Sequence, residues 1–522
     1  MLRIFTLFLF LFPLVYASKI LSTSYGKVRG STLASDDGNH KYLFKSLPFA
    51  KPPIGDLRFA LPQDPNPWDG VLDATNYSAA CMSNFTTTRN EQKKISEDCL
   101  YLNVFTSRKC LTQNCQVLVY IHGGAFRAES AVMFSDDFIL ERYVSEDLVF
   151  VTIPYRLGVF GQLYFGPKTI VKENVLVYDV IKALEFVHNE ISNFGGDPDR
   201  VTLMGHSAGA CLAQLIGVSE LIDPKKKLFQ QMITFSVTTQ FPFYDSAIDH
   251  SYELAEKVGC SPVNDRHKAN VPDILSCLRK LNSTEILKAQ SEMVLKDVTS
   301  FVGPIKGAPM IKSDGKFSEF LKNATPRNMI CGTSEKEFSV EPYKYPVSGM
   351  FWDVDNPKEV IDYYYKNMPR HEPNWVDMNT AGIFISSGLY CAQMANSGAN
   401  AYIFETRQKP ESMHVTDMQY FIGIHREGVH TKDMDILDSF YSKMLVNFTK
   451  FGEPSPDWEK LDTKRMNYLE LKVNSELGEG PKMMEKFHEK EMRIWFGNVM
   501  EYDKNVTMMY EKRLKVKKRY HC

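Results

Sequence analysis

The pentapeptide Gly205-His206-Ser207-Ala208-Gly209 constrains this chain more than any other segment, because of what flanks it. The apolar run Val201 to Met204 precedes it, and the helix-forming run Ala210-Cys211-Leu212-Ala213-Gln214-Leu215 follows. A buried strand that turns at once into a helix holds its corner residue in strained backbone angles. Glycines two positions to either side remove the Cβ atoms that would clash in so tight a turn. Ser207 then projects from the corner above a helix N-terminus, whose free N–H groups favour developing negative charge. Such a serine is a candidate nucleophile, not an ordinary turn residue.

The rest of the chain suits that corner. Short apolar runs, Val117 to Ile121, Leu148 to Ile153, Val201 to Met204, Asn328 to Cys331 and Ala401 to Phe404, alternate with helical patterns and predict a large, mostly parallel sheet flanked by helices. Val180, Ala183, Leu184, Val187 and Ile191 recur at spacings of three and four, giving a helix with one apolar stripe that Gly195-Gly196-Asp197-Pro198 ends. The first hundred residues carry more turn signals, such as Ala50-Lys51-Pro52-Pro53-Ile54-Gly55, and read as antiparallel edge strands. With 522 residues, 44% of them hydrophobic, a single α/β domain with insertions over 18–505 accommodates all of this. The basic stretch within 506–522 reads as a solvated C-terminal tail.

A second motif, His122-Gly123-Gly124-Ala125-Phe126, follows the strand Val117 to Ile121. Acyl transfer puts negative charge on a carbonyl oxygen, and a glycine-rich loop lets backbone N–H groups approach that oxygen unobstructed. Gly124 and Ala125, with the N–H of Ala208, are the expected oxyanion donors.

At this point the chain resembles the type-B carboxylesterase and cholinesterase family, of α/β-hydrolase fold, from about Tyr25 to about Gly497. The resemblance is carried by Pro48-Phe49-Ala50-Lys51-Pro52-Pro53-Ile54-Gly55-Asp56-Leu57-Arg58-Phe59, by Ser96-Glu97-Asp98-Cys99-Leu100-Tyr101-Leu102-Asn103 and by Asn193-Phe194-Gly195-Gly196-Asp197-Pro198. It implies a triad in the order Ser, Glu, His. The matching acid is Glu337, in Cys331-Gly332-Thr333-Ser334-Glu335-Lys336-Glu337, with Glu335 as the fallback. The matching base is His414, ahead of His425 and His430. A carboxylate there would hold the imidazole in the right tautomer and stabilise the imidazolium that forms. The resemblance also pairs Cys81 with Cys99 and Cys260 with Cys277, makes Arg58 and Glu97 a structural ion pair, and places Phe241 and Phe243 at an acyl pocket. Cys110 and Cys115 can pair locally without support from any family motif. Cys391 resembles the first cysteine of the family's third disulfide, but the partner expected near Trp495 is missing. Cys522 can pair with Cys391 or join two copies as a homodimer, and the pairing of Cys211, Cys331, Cys391 and Cys522 stays open.

Two departures narrow the substrate. Cholinesterases hold a quaternary ammonium over a tryptophan of the first disulfide loop, and Met82 to Asp98 contains none. The residue before the nucleophile, usually glutamate in the family, is His206. Together these favour an uncharged small-molecule ester. The competing reading is a noncatalytic adhesion protein of the neuroligin type, which keeps the fold without the chemistry. The complete set of Ser207, Glu337 and His414 favours the enzyme.

Lys and Arg number 61 against 63 Asp and Glu, so no global field recruits nucleic acid. No metal motif is present, and triad hydrolysis needs only water, so no metal or cofactor is expected. Arg3, the apolar run Ile4 to Leu14 and Val15-Tyr16-Ala17 read as a cleaved signal peptide over 1–17, since about 20 apolar residues are needed to span a bilayer. No later stretch reads as an integral membrane segment. Sequons at Asn76, Asn84, Asn282, Asn323, Asn447 and Asn505, with ten cysteines, point to a secreted glycoprotein.

Overall fold

The computed structural model describes residues 18–83, 92, 94–237, 244–263, 270–297, 300–311, 317–338, 354–367, 378–410, 412–426, 428 and 430–519. Thirteen strands of these residues form one sheet: β1 Ser18–Thr23, β2 Gly26–Leu33, β3 Lys41–Pro48, β4 Val71–Asp73, β5 Tyr101–Ser107, β6 Cys115–Ile121, β7 Leu148–Ile153, β8 Gly196–His206, β9 Gln231–Phe235, β10 Asn328–Ser334, β11 Ala401–Thr406, β12 Tyr468–Leu471 and β13 Lys482–Met484. They run in the order β1-β2-β3-β5-β7-β6-β8-β9-β10-β11-β12-β13, with β4 beside β2. From β7 to β12 every pairing is parallel, whereas β1, β2, β3, β5 and β7 pair antiparallel in turn. The α/β-hydrolase architecture is thus as the sequence predicts, and β1 to β3 are antiparallel as expected, whereas β4 pairs parallel with β2 and Ala80–Cys81 pairs parallel with Ile95–Ser96.

The parallel strands are apolar on both faces because helices cover both. In β6, Val117, Val119 and Ile121 join one core, with Val180, Ala183, Leu184 and Val187 of helix α1 (Val175–Glu190) and the buried helix α2 (Ala208–Val218). Leu118 and Tyr120 point the other way. There they join the core of Leu437, Tyr441 and Met444. Helix α3 (Met378–Asn396) covers β10 and β11. The predicted stripe is correct, but α1 ends at Glu190, and Ile191 belongs to a 3-10 turn that Gly195 closes at φ 83°.

The strands β9, β12 and β13 were not anticipated. The helix Met500–Arg519, here α4, runs across the 505/506 boundary, and Met508, Met509 and Tyr510 in the expected tail are exposed. Its Asp503 carboxylate accepts the backbone N–H groups of Asp355 and Asn356, at the start of the helix Pro357–Asn367, and Tyr502 stacks on Tyr363. Residues 1–17 and Cys522 lie outside the described residues, so the signal peptide and the Cys522 pairing do as well.

Disulfides join Cys81 to Cys99, Cys110 to Cys115 and Cys260 to Cys277. Arg58 grips Glu97 through two 2.6 Å bonds and donates to the carbonyls of Leu278 and Leu281, which ties the first disulfide loop to the third.

Arg156, just beyond β7, is anchored to α1 through Asp179. That carboxylate, fully buried, accepts the Arg156 backbone N–H at 3.0 Å and two guanidinium N–H groups at 2.8 and 2.7 Å. Removing one partner of such a pair leaves a buried charge unmatched. Asp179→Ala is expected to destabilise the fold by about 3–5 kcal/mol in urea denaturation, and a loss under about 1 kcal/mol would contradict this account of the pair.

Candidate active site

In parallel sheets, sites form at the carboxyl ends of the strands. Here four adjacent strands each deliver a side chain there: β8 leads to Ser207, β9 to Ser236, β10 to Glu337 and β11 to His414.

Ser207 is held at φ 54° and ψ −121°, strained for a residue with a side chain. Its N–H donates to the Phe235 carbonyl at 2.9 Å, and its carbonyl accepts from Cys211 at 3.0 Å, so the corner is bonded on both sides. The flanking glycines are required sterically. A Cβ on Gly205 would lie 2.4 Å from the Gly209 carbonyl oxygen, and one on Gly209 would lie 2.2 Å from that of Ile121.

His414 Nε2 lies 2.9 Å from Ser207 Oγ, and its Nδ1 lies 2.6 Å from Glu337 Oε2. Glu337 Oε1 accepts the Ser334 N–H at 2.8 Å and the Ser236 hydroxyl at 2.9 Å. The His414 N–H donates to the Glu337 carbonyl at 2.8 Å, and Lys336 N–H to Ser412 at 3.0 Å, so the two loops run side by side as an extension of the sheet. The Phe338 ring stacks on the imidazole at 4.2 Å. Glu335 turns outward toward Lys409, and His430 toward Asp435, so neither meets Ser207; His425 stands in the cavity wall.

Burial sets the electrostatics. It pushes the Glu337 carboxyl up to about 8, against the lowering effect of its bonds from Ser334 and Ser236. Burial also pushes the His414 imidazole down to about 3. Neither group takes its charge readily alone: the isolated imidazole stays neutral and weakly basic, and a positive charge on His414 and a negative charge on Glu337 stabilise each other across their contact. A proton on Nδ1 facing Glu337 leaves the Nε2 lone pair facing Ser207.

The loop after β6 lies against this corner. Tyr155 donates its hydroxyl to the His122 carbonyl at 3.0 Å, and its ring stacks on the His122 imidazole. Gly124 sits at φ 96°, where a Cβ would come within 2.2 Å of the Ala128 oxygen. The Gly124 carbonyl accepts from Arg127 and Ala128, which curls the loop. Among the described residues, the N–H groups of Gly124, Ala125 and Ala208 donate to no protein acceptor. His206 stays neutral, pushed down to about 3 by burial and by its neighbour His414, and its Nε2 lies 2.8 Å from the His414 carbonyl. It therefore tethers the His414 backbone rather than reaching Ser207.

A cavity of about 600 Å3 opens over Ser207 and His414. Met133, Val294, Phe338, Val415 and Met418 give it apolar walls, and Arg127 and Glu129 contribute opposite charges. Phe241 and Phe243, expected at an acyl pocket, lie outside the described residues. Sequence reasoning missed Ser236 and Tyr155. Ser236 is separated from Glu337 by 101 positions, and nothing local marks it.

Comparison with known proteins gives a consistent picture. A model described as the carboxylesterase family matches residues 17–348 and 355–495. The chain is 36% identical to acylcarnitine hydrolase of Mus musculus over 528 residues, covering 88% of this chain and 89% of that one. It is 29% identical to pyrethroid hydrolase Ces2e of Rattus norvegicus over 530 residues, covering 88% of each. Gut esterase 1 of Caenorhabditis elegans is 32% identical over 344 residues, covering 65% of this chain and 57% of that protein.

Gly209→Ala tests the corner. Its methyl group has backbone as its neighbour, so the turn must shift, and the substitution is expected to cost about 1–3 kcal/mol in thermal denaturation. An unchanged melting temperature would show that the corner is not closed in this way.

Proposed function

Because the chain belongs to the carboxylesterase family and is a carboxylic ester hydrolase, we propose that it cleaves uncharged esters through a covalent acyl-enzyme on Ser207, with His414 and Glu337 as partners. The observation that carries the reading is the continuous chain of contacts from Glu337 through His414 to Ser207 at the floor of an apolar cavity.

The proton transfers use atoms already in contact, Ser207 Oγ with His414 and His414 with Glu337. His414 Nε2 takes the Ser207 Oγ proton as the oxygen attacks the ester carbonyl. The N–H groups of Gly124, Ala125 and Ala208 receive the resulting oxyanion. Glu337, across 2.6 Å, stabilises the imidazolium. That imidazolium protonates the departing alkoxide, leaving an acyl group on Ser207. A water then repeats the sequence, with His414 again the base, and frees the acid.

The reading extends to the substrate. The residue beside Ser207 is a neutral imidazole, not a carboxylate, and Met82 to Asp98 lacks a tryptophan, so nothing there selects a quaternary ammonium. We also read the chain as secreted. Three disulfides suit an oxidising compartment, and no helix among the described residues is long and apolar enough to cross a membrane. Asn76, Asn282, Asn323 and Asn505 are exposed and open to glycosylation, whereas Asn447 is half-buried with its amide donating to Pro454; Asn84 is outside the described residues.

On p-nitrophenyl butyrate, Ser207→Ala and His414→Ala are each expected to lower kcat by about 10^4-fold or more, and Glu337→Gln by about 10^4-fold. Glu335→Gln is expected to stay near wild type. The wild-type kcat/KM for this neutral ester should exceed that for acetylthiocholine by at least about tenfold. Full turnover by His414→Ala, or a preference for acetylthiocholine, would overturn the respective part of the proposal.

A further inference from the structure

Among the nine described cysteines, six are joined in the three disulfides above. Cys331, in the middle of β10, and Cys391, on α3, are both completely buried where the helix covers the sheet. Their sulfurs are 2.6 Å apart. Two protonated thiols do not fit at that separation, because the proton and the opposing lone pairs have no room between the sulfurs. A covalent bond needs an approach of only about half an ångström, to about 2.05 Å. As a thiol, Cys391 donates to the Tyr402 carbonyl at 3.4 Å, a contact that oxidation gives up. Gln214 and Thr234 donate weakly to the Cys331 sulfur at 3.9 and 3.7 Å, contacts that a disulfide sulfur can still accept. No cluster of three metal-ligating side chains occurs among the described residues.

We propose that Cys331 and Cys391 form a fourth intrachain disulfide, which binds helix α3 to the strand that launches the Glu337 loop. The oxidant is a disulfide of the thiol-exchange class, a protein disulfide or oxidised glutathione. One cysteine thiolate attacks it, a mixed disulfide forms and one donor thiol leaves. The second thiolate then attacks the mixed disulfide and the other donor thiol leaves. Two thiols of this chain give up two protons and two electrons, and one donor disulfide becomes two thiols. Because both sulfurs are sealed in the finished fold, exchange takes place before α3 closes over β10, and later reductants reach the bond only through local opening.

The bond closes a loop of 60 residues, against separations of 18, 5 and 17 for the other three. In the chain-entropy model it therefore restricts the unfolded chain most. Its loop contains Glu337 and the helix Pro357–Asn367, so it staples the base of the segment that carries the proposed acid.

The proposal rests on the secretory reading, and one experiment separates the two. The full chain, purified from the medium of a secreting animal-cell culture, is denatured, alkylated without reduction, digested and mapped by mass spectrometry. The expected result is a peptide pair holding Cys331 and Cys391, lighter than the two free peptides by two hydrogens and lost on reduction. Alkylated Cys331 and Cys391, or Cys391 joined to Cys522, overturns the proposal. If the other three disulfides are intact in that result, the failure is of this bond alone. If every cysteine is alkylated, the secretory reading falls with it.

Discussion

The backbone of Ser207 is the constraint on which the rest depends. A φ of 54° in a residue with a side chain costs on the order of 1–3 kcal/mol and persists only when the surroundings over-determine it. Here they do. The Ser207 N–H is bonded to β9, its carbonyl to α2, and the helix that follows is buried along its whole length between the sheet and its neighbours. Gly205 and Gly209 leave no room for a methyl group, which fixes the corner as the closest approach of β8, α2 and the loop after β6. The serine oxygen, the helix N-terminus and the glycine-rich loop after β6 are brought together by that one turn.

The other participants reach the corner through strand order. Because β8, β9, β10 and β11 are adjacent and parallel, residues distant in the chain emerge side by side at their carboxyl ends. Ser236 and Ser334 hold one carboxylate oxygen of Glu337, which leaves the other for His414. His206 and the Glu337 carbonyl hold the His414 backbone from two directions. The imidazole therefore has little freedom to leave the line between acid and serine, and burial keeps it neutral until it takes a proton.

How much of this was legible in the sequence depended on how local each signal was. The corner at Ser207 and the loop at Gly124 are compact patterns beside buried strands, and they could be read directly. The acid and base came from resemblance, since Glu335 and Glu337 differ only in which way the loop turns after β10, a property of the sheet register. Ser236 had no signal at all, because its role exists only once β9 lies between β8 and β10. The strand β9 itself, Gln-Met-Ile-Thr-Phe, is short and polar at its start, so pattern alone did not reveal it. The C-terminal helix α4 went unread for a related reason. Its first turn is docked by Asp503 and Tyr502, just before the expected tail, through contacts about 140 to 150 positions away in the helix Pro357–Asn367 and the residues before it.

The central claim is that Ser207, and no other serine, is the nucleophile activated by His414. It is tested most directly by titrating the purified protein with a fluorophosphonate and locating the adduct by mass spectrometry. The account predicts one equivalent of label per chain, on Ser207, with labelling strongly slowed in His414→Ala. Label on another residue, or none while ester turnover persists, would contradict it.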